Sequence, residues 1–452
     1  MARSGWRRSA EMASLDPAAE QTWPRPLPAA LSLAVLVLAY TFSFIDRTIL
    51  SMLVGPVKAD LQITDTQVSL LTGIAFALFY TLLGLPIGMW VDRGSRRGIA
   101  AAGVAVWSLM TALCGAAQSY AGLLLARIGV GAGEAALSPA AYSLIPDLFR
   151  PEHRSRAQGV YGMGACFGSG LAFLIGGWTI AAVSKMPPLH LPLFGELGGW
   201  RLVFFVVGLP GVLVALLVMS IVEPPRRSGV GSSTGEVMAR LRKDWRAYGV
   251  IFVGCTVINI GFHALSAWGP AMLGRVHHLG QAQIGLVMGA AFLGPGCLAL
   301  LVGGTLADRA LMRGRLDGNL LNGMAGALGA ALVLGALAFD PPTGVTIGLI
   351  LVAAFFLMLC IGAAPAALQM IAPPRMRGRM SAAYMVALNL IGMGIGPTAT
   401  AALTDFAFRD PLAVGRSIGV VAFFAGLASA ALIAAGRPHF RRAAEALQRP
   451  TA

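Results

Sequence analysis

Charge is what this chain has least of. Lys, Arg, Asp and Glu make up 12% of its 452 residues, where a soluble globular chain carries about 25%. Together with a hydrophobic share of 56%, that shortfall excludes a soluble enzyme and a disordered chain. Cysteine is sparse as well. Cys114, Cys166, Cys255, Cys297 and Cys360 all lie in apolar runs, where an odd number reads as small packing residues and not as a disulfide scaffold. No G-x-x-x-x-G-K-[ST] phosphate loop occurs, which argues against ATP-driven work. No Cys/His set has ligand spacing, and His277-His278 is an isolated pair. No cofactor, no metal and no enzymatic activity are therefore expected. Acidic residues are the scarcer charge, 20 against 34 basic, for a net charge of +14. In so apolar a chain the excess points to basic loops against anionic lipid headgroups, and not to nucleic acid.

What the chain does have is long apolar runs. About 20 such residues cross a bilayer as a helix, and twelve candidates stand out: 29–54, 66–91, 98–117, 119–148, 157–184, 199–222, 246–274, 281–307, 318–339, 343–371, 379–405 and 413–436. Residues 1–28 are polar and basic and do not read as a cleaved signal, because the first apolar stretch is a full span. With the amino terminus placed inside, the inner connections hold 26 of the Lys and Arg residues, the outer ones hold six, and Arg47 and Arg127 lie within spans. That bias predicts cytoplasmic termini in the cell (inner) membrane.

The longest inner connection, 223–246, runs from Glu223-Pro224-Pro225-Arg226-Arg227 through a Gly/Ser stretch into a basic segment that suits a membrane surface. It divides a first six-helix bundle, 29–222, from a second, 247–436, with tails at 1–28 and 437–452. The halves carry matching signals. Gly88-x-x-x-Asp92-Arg93-x-x-Arg96-Arg97 follows span two, and Gly304-x-x-x-Asp308-Arg309 follows span eight. Arg154-x-Arg156 with Tyr161 opens span five, and Arg377-x-Arg379 with Tyr384 opens span eleven. Two matches at nearly one offset indicate duplication, a common plan among transporters that bind substrate between repeats.

Only two of the 20 acids, Asp46 and Glu134, sit well within spans. Each buried charge costs about 2.5–3.5 kcal/mol on insertion scales, so such groups face the bundle interior and pair. Arg127 and Glu134 are seven apart and share a helix face, with Gly131 between them, whereas Asp46 and Arg47 are adjacent and point about 100° apart. The expected pairing joins Arg127 to Asp46 or Glu134 and leaves Arg47 to the other acid. The four charges form either a static clamp between spans one and four or a titratable network. Apolar surroundings favour the neutral acid and a nearby Arg the carboxylate, so a network that alternates between them would exchange a proton, with Glu134 the first candidate and Asp46 the second.

In the loop signature, Asp92 is placed to cap a neighbouring helix, and Arg93 and Arg97 to pair with Asp147 or Glu152. Such contacts would close one side of the molecule and break in another state, with Asp308 and Arg309 as the partial copy. Tyr80, Tyr161, Asn259, His263, Tyr384 and Asn389 are candidates for the substrate cavity. Trp107, Trp178 and Trp268 read either as interfacial anchors or as core. Pro86, Pro139, Pro295, Pro365 and Pro397 mark expected kinks, and Gly162, Gly164, Gly168 and Gly170 an expected close helix contact.

The loop signature, its partial copy and the twelve spans resemble the major facilitator superfamily over about 29–436. That resemblance implies an all-α membrane fold of twelve helices in two pseudo-symmetric bundles. A narrower likeness rests on Tyr40-x-x-x-Phe44-Ile45-Asp46-Arg47 with Gln67-x-Ser69-Leu70-Leu71, and on Arg127-Ile128-Gly129-Val130-Gly131-x-Gly133-Glu134-Ala135 with Ser138-Pro139-Ala140. These segments resemble the spinster (Spns) lipid transporters. The resemblance implies alternating-access transport of a lysophospholipid or sphingoid-type lipid, proton-coupled in some members, with Arg47 or Arg127 available to a phosphate. A multidrug or small-metabolite exporter is the alternative in the same superfamily, and a non-transporting receptor or scaffold the alternative outside it. A monomer is expected.

Overall fold

The computed structural model describes residues 23–187, 189–191, 195–197, 199–226, 234–373 and 376–448. Most of the amino-terminal tail, the Gly/Ser stretch of the central connection and the side chains of Glu152 and Cys166 lie outside the described set. The twelve spans are Pro26–Met52, Asp65–Arg93, Arg96–Ala116, Tyr120–Leu148, Arg156–Val183, Gly199–Met219, Trp245–Arg275, Gln281–Met312, Gly318–Phe339, Thr343–Ile371, Arg377–Phe408 and Pro411–Leu447. They are called spans one to twelve below. They form two six-helix bundles. A hairpin of two short strands, Leu189–Leu191 paired antiparallel with Gly195–Leu197, joins spans five and six.

Several spans are interrupted where the backbone chemistry requires it. Span two is two helices, Asp65–Thr72 and Ile74–Arg93, hinged at Gly73. A Cβ at Gly73 would lie 2.8 Å from the Met393 carbonyl oxygen of span eleven, so the hinge is also where the two halves touch. Span four is Tyr120–Glu134 followed by Leu137–Leu148. Pro139 has no N–H for the Ala135 carbonyl, and this accounts for a break directly after Glu134. Pro295 and Asn389 lie in π-helical turns of spans eight and eleven, a form common at functional sites.

The duplication read from sequence appears in the hydrogen bonds. Arg154 donates to the Phe149 carbonyl at 3.3 Å, and Arg377 donates to the Ala372 carbonyl at 3.2 Å. Tyr161 and Tyr384, seven residues beyond each arginine, are both buried in their own half. Trp107 and Trp268 are core residues, whereas Trp178 is 71% exposed on the outer surface. The last suits a headgroup-level anchor.

The ends of the bundle differ. One carries the basic connections (Arg93, Arg150, Arg309, Arg437) and is called the basic end; the other is the far end. Across the halves, span five packs on span eight from Gln281 through Gly296, and span two packs on span eleven from Asn389 onward. Both are far-end segments. Glycines set the distance between spans five and eight: a Cβ at Gly285 would lie 2.5 Å from the Phe173 carbonyl and 3.0 Å from Gly177 Cα. Toward the basic end, a Cβ at Gly84, Gly88, Gly159 or Gly304 would meet nothing. The halves are joined at the far end and splayed at the basic end. Of the span-five glycines, Gly164 and Gly168 lie against Tyr40 and Phe44 of span one and Gly170 against Leu293. Gly162 faces open space, which corrects its expected packing role.

Candidate functional site

Span one brings Ser43, Asp46 and Arg47 against span four. Arg47 Nε forms a close ion pair with Glu134 Oε2, and Ser43 Oγ donates to the same oxygen at 2.8 Å. The Glu134 side chain is fully buried, while that of Arg47 is 14% exposed. The arginine is thus the member of the pair that reaches open space. Glu134 closes the first helix of span four, where the carbonyl end of the helix disfavours negative charge and the Arg47 cation offsets it.

Three aromatic rings enclose the guanidinium. Arg47 Cζ lies 4.8 Å from the Phe76 ring centre, 5.1 Å from Tyr80 and 5.5 Å from Phe44, all within cation–π range. Tyr80 also reaches Ser138 Oγ at 3.5 Å. Tyr40 stacks on Tyr161 with ring centres 4.8 Å apart, and Tyr142 meets Tyr161 edge-on at 5.6 Å. Tyr142 is 42% exposed, so this aromatic wall opens toward the basic-end space between the halves.

The other two charges are arranged differently from the expected pairing. Arg127 donates to two main-chain carbonyls, Asp46 at 3.1 Å and Leu71 at 3.4 Å. The Leu71 carbonyl lies in the last turn before the Gly73 hinge, where helix carbonyls lose their own partners. Arg127 therefore pins the hinge of span two to span one. The Asp46 carboxyl lies beside Trp107 and Thr111 of span three. Asp46 Oδ1 and Glu134 Oε1 have no hydrogen-bond partner among the described residues. The sequence-derived set Asp46, Arg47, Arg127 and Glu134 is one cluster, and Tyr80 and Tyr161 belong to its aromatic wall.

From the second half, His263 of span seven comes within electrostatic range of Arg47. Asn259 packs against Gly392 of span eleven, and Asn389 bonds the Met385 carbonyl of its own helix at 2.8 Å. Tyr384 meets Phe252 inside the second half and is 1% exposed. Tyr161, Tyr384, Asn259 and Asn389 are buried in the walls, and Tyr80 and His263 are the half-buried candidates, the latter packed against Gly392 and Gly396 of span eleven.

The basic-end loop signature departs from expectation. Asp92 and Arg93 are exposed, and Arg226 donates to the carbonyls of Val91, Asp92 and Gly94. Asp147 pairs with Arg96, and among the described residues no ion pair joins it to Arg93 or Arg97. Ser95 caps span three through Gly98 N, and this start turns Arg96 into the bundle at 1% exposure. Arg96 also donates to the Pro224 carbonyl, and its main-chain N–H donates to Glu223 at 2.5 Å. Arg97 lies 3.7 Å from Glu223. These contacts join the first half to the start of the central connection and do not reach the second bundle. The matching corner of the second half holds Asp317 and Arg437, 2.7 Å apart, with the charges exchanged. Asp308 and Arg309 are exposed.

Two measurements check this corner. Arg96→Gln removes the cation beside buried Asp147, a change that costs about 3 kcal/mol or more. A lowered thermal unfolding midpoint in detergent is the expected result. Burial pushes the Glu223 carboxyl up, but hydrogen bonds from Ser95 and the Arg96 N–H, with the charges of Arg96 and Arg97, outweigh it and hold the group below the ordinary Glu value. A depressed acid stabilises the fold above its unfolded pKa and loses that contribution as pH falls through the folded one. Stability should therefore decline as pH drops below the ordinary Glu range, and Glu223→Gln should flatten that part of the profile.

A second cluster, at the far end, was not anticipated from sequence. Asp65 is fully buried and receives Arg275 in bidentate fashion, at 2.6 and 2.9 Å, together with Lys58. Thr66 donates its main-chain N–H and its hydroxyl to Asp405, each at 2.7 Å. Arg275 ends span seven and Asp405 lies near the end of span eleven, so both contacts tie span two to the other half. Asp405 in effect caps the span-two helix from across the interface. Their spacing in sequence, 210 and 339 residues, gives no local signal. The one available hint was that Asp65 follows Thr64 in a capping box completed by Gln67.

The model of the Major Facilitator Superfamily matches residues 36–397. An MFS-type efflux pump of Mycolicibacterium smegmatis is 31% identical over 67% of this chain and 67% of its own length. The spinster protein of Drosophila melanogaster is 27% identical over 54% of this chain, a match that spans 38% of the fly protein. Among solved structures, a bacterial homologue of the human lysosomal transporter spinster, in an inward-facing and unoccupied conformation, superposes with a TM-score of 0.75 at 26% identity. The alignment covers 93% of this chain and 98% of that one.

Proposed function

The chain belongs to the major facilitator superfamily, is related to the spinster proteins and is a multi-pass membrane transporter, and from that premise we propose that it moves an amphipathic lipid by proton-coupled alternating access. The observation that carries the reading is the Arg47–Glu134 pair, set in an aromatic wall that opens between the halves. Both charges cancel while they are paired. A proton taken by Glu134 removes the partner of Arg47 and frees its guanidinium for an anionic headgroup. Phe44, Tyr80 and Tyr142 then supply apolar surface beside that charge, backed by buried Phe76, the combination an amphiphile requires. Loss of the proton restores the pair and expels the headgroup. Asp46, beside Trp107 and Thr111, is the second carboxyl of this network.

The 26-to-6 distribution of basic residues supports placing the basic end in the cytoplasm, which makes the conformation described here inward-open. The far-end lock and the Gly177–Gly285 contact then hold the outer side shut, and the basic-end signature with Arg96 acts when the halves close on the inner side. The likeness to an inward-facing spinster homologue supports the same assignment. The efflux-pump relative favours a second reading, export of drugs or small metabolites.

Reconstitution separates the two. Labelled lysophospholipid should move across proteoliposome membranes faster with an imposed pH gradient than without it, and cationic drugs should compete weakly. Drug movement with no lysophospholipid movement would replace the lipid reading with the second one.

A further inference from the structure

We propose that the helix Thr234–Lys243 and the first turn of span seven form a binding site for the headgroups of anionic phospholipids, separate from the transport cavity. The two elements are separated by Asp244 alone, so the helix lies where the chain enters the membrane. Its inner face is apolar and packed. Val237, Ala247 and Tyr248 are buried, Tyr248 donates to the Ile371 carbonyl at 2.8 Å, and the helix touches the start of span eleven.

The outer face is different in kind. Arg242, Lys243 and Arg246 are exposed and form no ion pair among the described residues. Asp244 is held by Arg240 at 3.1 Å and is not free to neutralise them. Beside the cations stand exposed apolar groups, Met238 at 46%, one turn before Arg242, and Trp245 at 63%, and Arg246 stacks on the Trp245 ring at 5.3 Å. Cations beside a Trp and a Met at a membrane boundary match a surface whose outer layer is anionic and whose next layer is apolar. A soluble anion would use the charges and leave Trp245 and Met238 in water. A neutral bilayer would use the apolar groups and leave three cations without partners. An anionic phospholipid satisfies both.

The test uses the purified full-length protein. Native mass spectrometry should retain phosphatidylglycerol in preference to phosphatidylcholine at low salt. Each cation near an anionic surface contributes about tenfold or less, so R242Q/K243Q/R246Q should lower that preference by about tenfold or more. R441Q/R442Q, which removes exposed charge from the carboxy-terminal helix, should change it by less than the triple variant does. An unchanged preference in the triple variant, an equal loss in the control, or displacement of the lipid by glycerol phosphate would overturn the proposal. A reading that needs no folded triple variant comes from bilayers with brominated acyl chains. The fluorescence component lost in W245F should be quenched more in brominated phosphatidylglycerol than in brominated phosphatidylcholine, and equal quenching would also overturn it.

Discussion

Glu134→Gln should abolish transport driven by a proton gradient, by about 100-fold or more, while the protein still folds. Gln keeps the shape of Glu and can still accept from Ser43, which donates to Glu134 at 2.8 Å. What it cannot do is carry a charge or exchange a proton. Arg47 then remains permanently unpaired beside Phe44, Phe76 and Tyr80, and breaking a buried pair in this way costs about 3–5 kcal/mol. Each 1.36 kcal/mol is a factor of about ten, so a step that depends on re-forming the pair slows by at least the stated amount. Exchange of labelled for unlabelled substrate at equal pH should persist, because it needs no net proton movement. Arg47→Gln should lose both activities, since the headgroup contact is lost as well. Because the residues act as one unit, the double variant should be no worse than Arg47→Gln alone. Full gradient-driven uptake by Glu134→Gln would remove this residue from coupling and leave the four charges as a clamp.

Asp65→Asn should open the far end. The carboxylate receives two bonds from Arg275 and one from Lys58, and neutralising it leaves two cations side by side. Loss of a desolvated, hydrogen-bonded acid with two partners is worth about 3–5 kcal/mol, enough to move a two-state balance by about 100-fold or more. Asp405→Asn weakens the neighbouring cap on Thr66 and should act in the same direction to a smaller degree. Spin labels on a cysteine-free background at Ala59 and Leu412, beside the far-end groove of about 440 Å³ lined by Lys58, Gln62, Arg275 and Pro411, should report a longer distance in Asp65→Asn. An unchanged distance distribution would mean that the glycine contact of spans five and eight holds the far end by itself.

The spans were legible because lipid imposes a one-dimensional rule: about 20 apolar residues in a row, with charge at the ends. That rule placed all twelve helices within a few residues at most boundaries; span twelve runs further, to Leu447 instead of ending near 436. The intramembrane charges were legible for the same reason, since Asp46, Arg47, Arg127 and Glu134 stand out against their surroundings. The duplicated signals were legible as repeats of residue type at nearly one offset, and the Arg154 and Arg377 bonds match each other atom for atom.

The partner of each charge was another matter. Spacing put Arg127 and Glu134 on one helix face, which leaves open whether the arginine turns to a carboxylate or to a carbonyl. The turn to Leu71 depends on the hinge at Gly73 in span two. In the loop signature the buried arginine is Arg96, because the cap at Ser95 fixes where span three begins and so which of three arginines points inward. The far-end lock could not be read at all: Asp65, Arg275 and Asp405 are ordinary span-end charges until spans two, seven and eleven converge. By itself the sequence determined the membrane class, the number of spans, the duplication and which charges enter the bilayer, because each follows from composition along a line. Only the tertiary structure decided which charge meets which, where the halves touch and which end is open. Those depend on helix rotation, kinks and approach distances between segments hundreds of residues apart.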